Sequence, residues 1–439
     1  VDFLTDFDVH WIAFQQPDRQ IVLKHVAQAS VDELAQTMWS HLMKYAPDRL
    51  AQKELYRDGD FFIVPEETAA PFLQQELPSL LLSYRFIGVE RLRNYRVKPV
   101  EPKLYLSLRS DIHFLEGELT LDLDGEQFTL GDLLKQYRKH RYITLSDGNR
   151  AVLGEGYVER LGRVFQQQEG GQVRVSFFDL PEMAALRPQE VDCVMYERLL
   201  QVFEGFNRLK DAPLGETRVN AVLRPYQAEG VKWLRYLYAH NLGGCLADEM
   251  GLGKTLQTIT LLASIYPDVT EPSLLVMPYS LLYNWRKELA RFAPHLTVYC
   301  YHGGARNLEE AWKHQLILTT YAMVRNDIEM LQQQHFHYVI LDESQHIKGT
   351  RTQVTQAIFQ LNATHRLALS GTPFENNLTE LYSLFHFLNP GMLGTLDEFN
   401  MRYTYPIHRL NNKEAMESLR RKIYPFLFRR LKKDVLQEL

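Results

Sequence analysis

The sequence predicts an α/β fold, a parallel sheet with helices on both faces, over its second half, preceded by a β-rich α+β region. Three observations carry this expectation. After about residue 221, short apolar runs alternate with stretches whose apolar residues recur at helical spacing, the grammar of a parallel sheet covered by crossover helices. A glycine-bearing loop, DEMGLGKT at 248–255, lies between an apolar run and one such helix. Between about residues 103 and 180, apolar and polar residues instead alternate with period two, as half-buried strands require.

In chain order, SVDELAQTMWSHLMKY (30–45) reads as a helix, with Ser30 as N-cap and acidic residues in the first turn. PEETAAPFLQQELPSLL (65–81) reads as a second, interrupted near Pro71 and Pro78. KLYLSL and ELTLDLDGEQFTL follow as strands, with Asp124-Gly125 as a hairpin turn. GDLLKQYRKH (131–140) is helical, YITLSDGNRAVL is a second hairpin around 147–149, QVRVSFFDL (172–180) is a strand and VMYERLLQVFEGFNRL (194–209) a helix. KDAPLGETRVN (210–220) supplies Pro, Gly and polar residues, so the expected domains are 1–209 and 221–439 with 210–220 as linker. In the second domain the strands are GGCLA (243–247), LLVMP (274–278), TVYCY (297–301), LILTTY (316–321), YVILDE (338–343) and HRLALSGT (365–372). Helices are expected at 281–292, 324–334 and 352–361.

At 439 residues the chain is long enough for two or three domains, and 45% hydrophobic with 23% charged residues describes a globular protein. No apolar run approaches a membrane span and no signal peptide opens the chain, so a cytoplasmic compartment is expected. Cys193, Cys245 and Cys300 lie far apart, which argues against a disulfide framework and a zinc site. A net charge of −5 does not advertise nucleic-acid binding. Residues 401–439, however, hold ten Lys/Arg against four Asp/Glu, either a phosphate-facing patch or a solvated helix face. The chain opens on Val1 rather than Met, which reads as a fragment or a processed product.

In DEMGLGKT, Gly251 and Gly253 allow a tight turn that aims backbone N–H groups and a helix N-terminus at polyphosphate oxygens. Lys254 then reaches the β/γ phosphates and the Thr255 hydroxyl ligates Mg²⁺. Asp248 stands where the full pattern G-x-x-x-x-G-K-[ST] has its first Gly, so a simple glycine turn capping a helix is the alternative. An apolar strand ending in Asp342-Glu343 supplies one carboxylate for Mg²⁺ and another to orient an attacking water. LALSGTP (367–373) empties a further apolar strand into Ser370 and Thr372, and Gln227 in LRPYQAEGVKWL has the amide geometry to pair with an adenine edge. Each alone has a bland reading, as strand turn or helix surface.

Taken in order, LRPYQAEGVKWL, DEMGLGKT, LLVMPYSLLYNW, LTTY, LDESQHIK and LALSGTPFENNLTELYSLFHFLNPG resemble the motifs of the first motor lobe of the Swi/Snf family, helicase-like, duplex-stimulated ATPases of helicase superfamily two. The resemblance covers about 221–439, including YPFLFRRLKKDV (424–435), which is similar to the segment closing lobe one. More weakly, residues 1–209 resemble the accessory domain ahead of the motor in bacterial members. The resemblance implies a RecA-like lobe, ATP and Mg²⁺ as cofactors, and double-stranded DNA as partner, with a DNA-bound protein or a polymerase as further candidates. With no membrane span and no zinc site expected from the residues themselves, the resemblance adds a nucleoid-associated place within the expected cytoplasmic compartment.

Residue by residue, it implies that Gln227 contacts adenine in a pocket framed by Arg224 and Tyr226, and that Asp248, Glu249, Met250, Gly251, Leu252, Gly253, Lys254 and Thr255 form the ATP-binding loop. Lys254 and Thr255 would bind phosphate and Mg²⁺, Asp342 would hold Mg²⁺, and Glu343 would activate water. Gln345, Ser370, Gly371 and Thr372 would couple nucleotide state to DNA grip, and Pro278, Ser280, Thr319, Thr320 and Tyr321 would face the DNA backbone. Asp248 is what the family shows at that place, whereas Ser344 departs from its Asp-Glu-Ala-His or Asp-Glu-Ala-Gln box. The family completes the site with arginine fingers from a second lobe, expected to be absent here, so the chain is expected to bind ATP but hydrolyse it poorly. The implied function is a DNA-dependent ATPase that translocates on duplex DNA and remodels protein–DNA complexes. A strand-separating helicase, a DNA-defence motor and a nucleotide-gated binding module remain alternatives.

Overall fold

A computed structural model describes residues 11–15, 21–26, 31–46, 55–58, 61–64, 68–69, 72–80, 85–87, 97–110, 114–140, 142–154, 156–266, 268–371 and 378–435. The chain divides into two compact units, Val1–Tyr196 and Glu197–Leu439.

The first unit is β-rich with helices. A five-stranded sheet runs in the order Tyr56–Asp58, Phe61–Val64, Ile21–Val26, Trp11–Gln15, Arg85–Ile87. Helix Val31–Met43 contributes Met38 and Leu42 to a core with Phe62, Val64, Phe72 and Leu77; Ser30, its expected cap, lies outside the described residues. The helical stretch at 65–81 appears as a π-type turn Phe72–Glu76 running into Leu77–Leu80, which accepts Pro78 in its first turn. The period-two stretch forms antiparallel strands Lys103–Ser110 and Phe114–Leu123, with Leu104, Leu106 and Leu108 buried on one face. Phe114–Leu123 turns back into Glu126–Thr129 at Asp124 (φ 58°) and Gly125 (φ 91°), the left-handed pair a two-residue hairpin needs. The hairpin around 147–149 also forms, pairing Ile143–Thr144 with Arg150–Val152.

Among its described residues the second unit has seven strands: β1 (Gly244–Leu246), β2 (Ser273–Met277), β3 (Val298–Cys300), β4 (Leu316–Thr320), β5 (His335–Leu341), β6 (Asn362–Leu369) and β7 (Leu427–Phe428). They lie in the order β3-β4-β2-β5-β6-β1-β7. Every neighbouring pair is parallel, so all carboxyl ends share one edge. Strands β2 and β4 are buried at every position, as a sheet covered on both faces demands. The helices that matter for that edge are α1 (Pro225–Ala239), α2 (Lys254–Ile265), α3 (Tyr279–Phe292) and α4 (Tyr321–Asn326).

Three expectations change. The unit boundary falls at Tyr196, ahead of 209, because the helix Tyr196–Gly205 and Phe206 belong with the second unit: Phe203 and Phe206 meet Phe426 edge-on at 6.3 and 5.8 Å. The stretch 210–220 is strapped to α1, since the Arg235 guanidinium donates to the Leu214 and Glu216 carbonyls and Lys232 to that of Lys210 at 2.9 Å. The helix expected at 324–334 is broken into α4 and Ile328–Leu331 at Asp327, whose buried carboxylate is taken by Arg306 and by the Tyr301 hydroxyl at 2.9 Å.

On β6, His365 is buried among the rings of Tyr238, Tyr338 and His337 at 4.4, 5.1 and 4.9 Å, and its Nδ1 has no hydrogen-bond partner. Burial pushes its pKa down to about 4, with the neighbouring His337 adding to the effect. The unfolded chain binds this proton at about 6.5, so the associated stability is present above that pH and is lost as pH falls from 6.5 towards 4. A loss on the order of 3 kcal/mol is expected. Urea unfolding midpoints between pH 7 and pH 4.5 check this, and His365→Phe should flatten the slope.

Candidate nucleotide site

Because the sheet is parallel, the segments leaving β1, β2, β4, β5 and β6 converge at one edge, where ligands of such sheets bind. Strand β1 runs into the glycine loop, and α2 starts at Lys254 directly behind it. Gly251 and Gly253 take φ of 90° and 80°, a backbone state that side chains rarely adopt. A Cβ on Gly253 would also fall 2.5 Å from the Gln227 amide nitrogen. Thr255 is the second residue of α2 and half-buried.

The Lys254 ammonium donates to the Asp248 carbonyl at 2.7 Å. Burial pulls its pKa below the usual lysine range, opposed by the charges of Asp342, Asp248 and Glu343, so the lysine and the acidic strand end lie within electrostatic reach. Gly371, at the end of β6, borders the same space: a Cβ there would lie 3.8 Å from the Lys254 nitrogen and 2.8 Å from Met250.

Asp342 follows β5 and is 8% exposed. Its Oδ2 accepts from the Trp285 indole at 2.7 Å and its Oδ1 from the Glu343 backbone N–H at 2.8 Å. Burial raises its pKa; the two hydrogen bonds oppose the rise, the Glu343 charge adds to it and Lys254 lowers it. Glu343 sits in the left-handed region at φ 49°, an uncommon state for a non-glycine residue that is found enriched at active sites. Gln345 donates to Glu343 Oε2 at 2.7 Å, and the Ser370 hydroxyl lies 3.5 Å from Gln345 Oε1. The structure thus brings Glu343, Gln345, Ser370 and Gly371 together, whereas Thr372 lies outside the described residues.

Beneath the loop lies a cluster that sequence reading missed. The Asp248 carboxylate is fully buried and accepts from Arg430 through the backbone N–H (3.1 Å), Nε (2.9 Å) and Nη2, and from the Gln257 amide at 3.2 Å. Arg430 also donates to the Tyr226 carbonyl and to Gln257 Oε1 at 2.9 Å. The side chain of Asp248, expected among the nucleotide contacts, therefore points down into the protein. Glu249 likewise receives the Lys432 N–H at 2.8 Å, and Leu252 is buried in a small cluster with Tyr226 and Val435. The signal for this cluster was a polar Gln257 inside the apolar TLQTITLL face and an arginine pair inside FLFRRL.

Gln227 is buried with its amide turned to the loop: Oε1 accepts from the Arg224 N–H at 3.1 Å, and Nε2 donates to the Leu252 carbonyl at 3.3 Å. In this conformation it braces the loop, and reading an adenine edge requires the amide to turn. Of the residues expected to face DNA, Ser280 is exposed and Pro278 is half-buried as the cap of α3. Thr319, Thr320 and Tyr321 are a correction, because their side chains point inward. Thr319 donates to the Tyr301 carbonyl at 2.9 Å, Thr320 caps α4, and the Tyr321 hydroxyl donates to the Asp342 carbonyl at 2.8 Å. The physical reason for Thr319 and Thr320 is that β4 is covered on both faces, leaving no outward side, and Tyr321, the first residue of α4, is buried over the end of β5.

Among the described residues, no group of three or more His, Cys, Asp or Glu side chains is placed to hold a metal. The donor set nevertheless fits Mg²⁺, which is bound in such sites through one or two carboxylates with phosphate and water completing the shell. Asp342 and the Thr255 hydroxyl are the groups available.

Residues 226–439 match the family model described as the SNF2-related domain. This part of the chain is an SNF2-related domain. The chain is 41% identical over 222 residues to an uncharacterized ATP-dependent helicase of Mycoplasma genitalium, covering 49% of this chain and 21% of that protein. It is 41% identical over 219 residues to a Bacillus subtilis protein named as an ATP-dependent helicase/translocase, YwqA, covering 48% and 24%. The matched stretch therefore spans about a fifth to a quarter of these relatives. A solved Sulfolobus solfataricus SWI2/SNF2 ATPase core in complex with dsDNA is 39% identical, with a TM-score of 0.49 over 52% of this chain and 49% of its own. The matched residues include the candidate site from Tyr226 to Arg430, with Arg224 just ahead of them. No helix among the described residues is long and apolar enough to cross a membrane.

Proposed function

We propose that the SNF2-related domain is the ATP-binding half of a DNA-dependent ATPase that translocates on duplex DNA and remodels protein–DNA complexes. The observation that carries this reading is the meeting of a glycine loop, its Lys254 ammonium and the Asp342–Glu343 strand end at one sheet edge. The loop N–H groups and Lys254 take the phosphate oxygens of ATP, with the ammonium exchanging the Asp248 carbonyl for them. Asp342 and Thr255 would hold Mg²⁺, which would neutralise charge on the phosphates. Glu343, one oxygen fixed by Gln345, orients a water and takes its proton as the water oxygen bonds to the terminal phosphorus and the bond from that phosphorus to ADP breaks, giving ADP and inorganic phosphate. The second lobe implied by the family resemblance supplies the arginines that this half-site needs for fast turnover.

Duplex DNA is proposed to meet the edge at the first turn of α3, where Ser280 lies between Tyr279 and Tyr283, exposed at 69% and 73%. The relatives' helicase and translocase names support a nucleic-acid track, and the place of action is proposed to be the cytoplasm, at the nucleoid. Residues 1–196 are proposed as the accessory unit of this motor.

Lys254→Ala should weaken binding of a fluorescent ATP analogue by about 10- to 100-fold, the worth of charge-assisted hydrogen bonds at about 1.5–3 kcal/mol. Fluorescence anisotropy titrations check this; unchanged affinity removes the phosphate-loop assignment.

A further inference from the structure

Asp342 is held at all four of its polar atoms. Its backbone N–H donates to the Val276 carbonyl of β2 at 2.8 Å, and its carbonyl accepts from the Tyr321 hydroxyl of α4 at 2.8 Å. Its Oδ1 is turned to the Glu343 N–H, which leaves Oδ2 as the atom set by a separate element, through the Trp285 indole at 2.7 Å. Trp285 is itself 2% exposed on α3, so its ring cannot swing to solvent without opening the core. A carboxylate next to Glu343 and only 8% exposed has few ways to fix its plane, and an indole N–H is a donor only.

We propose that Trp285 is a positioning residue for the reaction: its N–H fixes the plane of the Asp342 carboxylate so that the remaining lone pairs meet the magnesium of the bound nucleotide. The inference rests on the nucleotide reading given above. Donors that orient a metal-binding carboxylate in this way affect metal affinity or activity by about 10- to 100-fold when removed.

The test uses the full chain and Trp285→Phe, which keeps an aromatic ring in the core but removes the donor. The expected result is an increase of about 10- to 100-fold in the Mg²⁺ concentration giving half-maximal binding of a non-hydrolysable ATP analogue. Binding of the analogue in EDTA and the melting temperature should stay near wild type. In the wild-type chain labelled with 5-fluorotryptophan, the ¹⁹F signal of Trp285 should move on adding the magnesium–analogue complex. Five tryptophans make the assignment tractable, by replacing Trp11, Trp39, Trp233 and Trp312 in turn. This second readout carries the test should Trp285→Phe melt early. A wild-type Mg²⁺ dependence in Trp285→Phe, or an unmoved Trp285 signal while the analogue binds, overturns the inference alone. A wild-type chain that binds no analogue overturns the nucleotide reading and this inference with it.

Discussion

Glu343→Gln, made in a motor completed by the second lobe, is expected to retain ATP binding and lose turnover by about 10²- to 10⁴-fold, the range for a general base. The substitution keeps the size of the side chain and its contact to Gln345, which donates to Glu343 Oε2 at 2.7 Å. What it removes is the charge that takes the proton from water. Binding should stay intact because Lys254 and the loop, which hold the phosphates in this reading, are untouched. Single-turnover hydrolysis alongside analogue binding separates the two effects. Turnover near wild type would take Glu343 out of its role and leave the left-handed backbone at φ 49° as a feature of the turn alone.

Arg430→Ala is expected to destabilise the second unit by about 3–5 kcal/mol, because it leaves the Asp248 carboxylate buried and uncompensated. Asp248 is 0% exposed and takes three of its hydrogen bonds from Arg430; the substitution removes the two from the guanidinium and leaves only neutral donors, the Arg430 backbone N–H and the Gln257 amide. For a unit of this size the loss corresponds to a fall in melting temperature of roughly 10 °C. Removing both charges at once, in Arg430→Met with Asp248→Leu, should recover most of the loss, since an apolar replacement avoids the stranded charge. Differential scanning calorimetry of the three proteins decides it. A melting temperature for Arg430→Ala within about 1 °C of wild type would mean that the pair does not hold the loop.

The parts of this fold that could be read from the sequence are those whose signal is local. Strands β2, β4 and β5 announce themselves because burial on both faces leaves continuous apolar runs, and the hairpin at Asp124-Gly125 because two left-handed residues select their own residue types. The loop from Asp248 to Thr255 and the pair Asp342–Glu343 were legible for the same reason: each motif is contiguous. What escaped depends on partners distant in sequence. Strand β7 is two residues long, too short to show a period, and exists because β1 offers it an edge. Arg430 looked like part of a basic tail, and its burial is set by Asp248, 182 positions away. The helix after Tyr196 could not be assigned to the second unit without knowing that Phe426 meets Phe203 and Phe206.

The direction of side chains was the other failure. Alternation tells inside from outside only when one face of a strand is wet, and β4 has no wet face. The expectation that Thr319 and Tyr321 face DNA came from the resemblance alone, with no pattern in the strand to check it, and their side chains are turned to Tyr301 and Asp342. Tyr321 nevertheless bonds to the candidate site, because its hydroxyl holds the backbone carbonyl of Asp342, whose side chain accepts from Trp285. The exposed first turn of α3, at Tyr279 to Tyr283, and the indole that holds Asp342 belong to one helix.

The most direct test of the central claim is steady-state ATP hydrolysis by the chain extended through the second lobe, measured without nucleic acid, with single-stranded DNA and with duplex DNA. Hydrolysis stimulated by duplex more than by single strands, and abolished by Lys254→Ala, is the predicted result. Absence of hydrolysis under all three conditions, with the lobe restored and nucleotide bound, would contradict the motor reading and leave a nucleotide-gated binding module in its place.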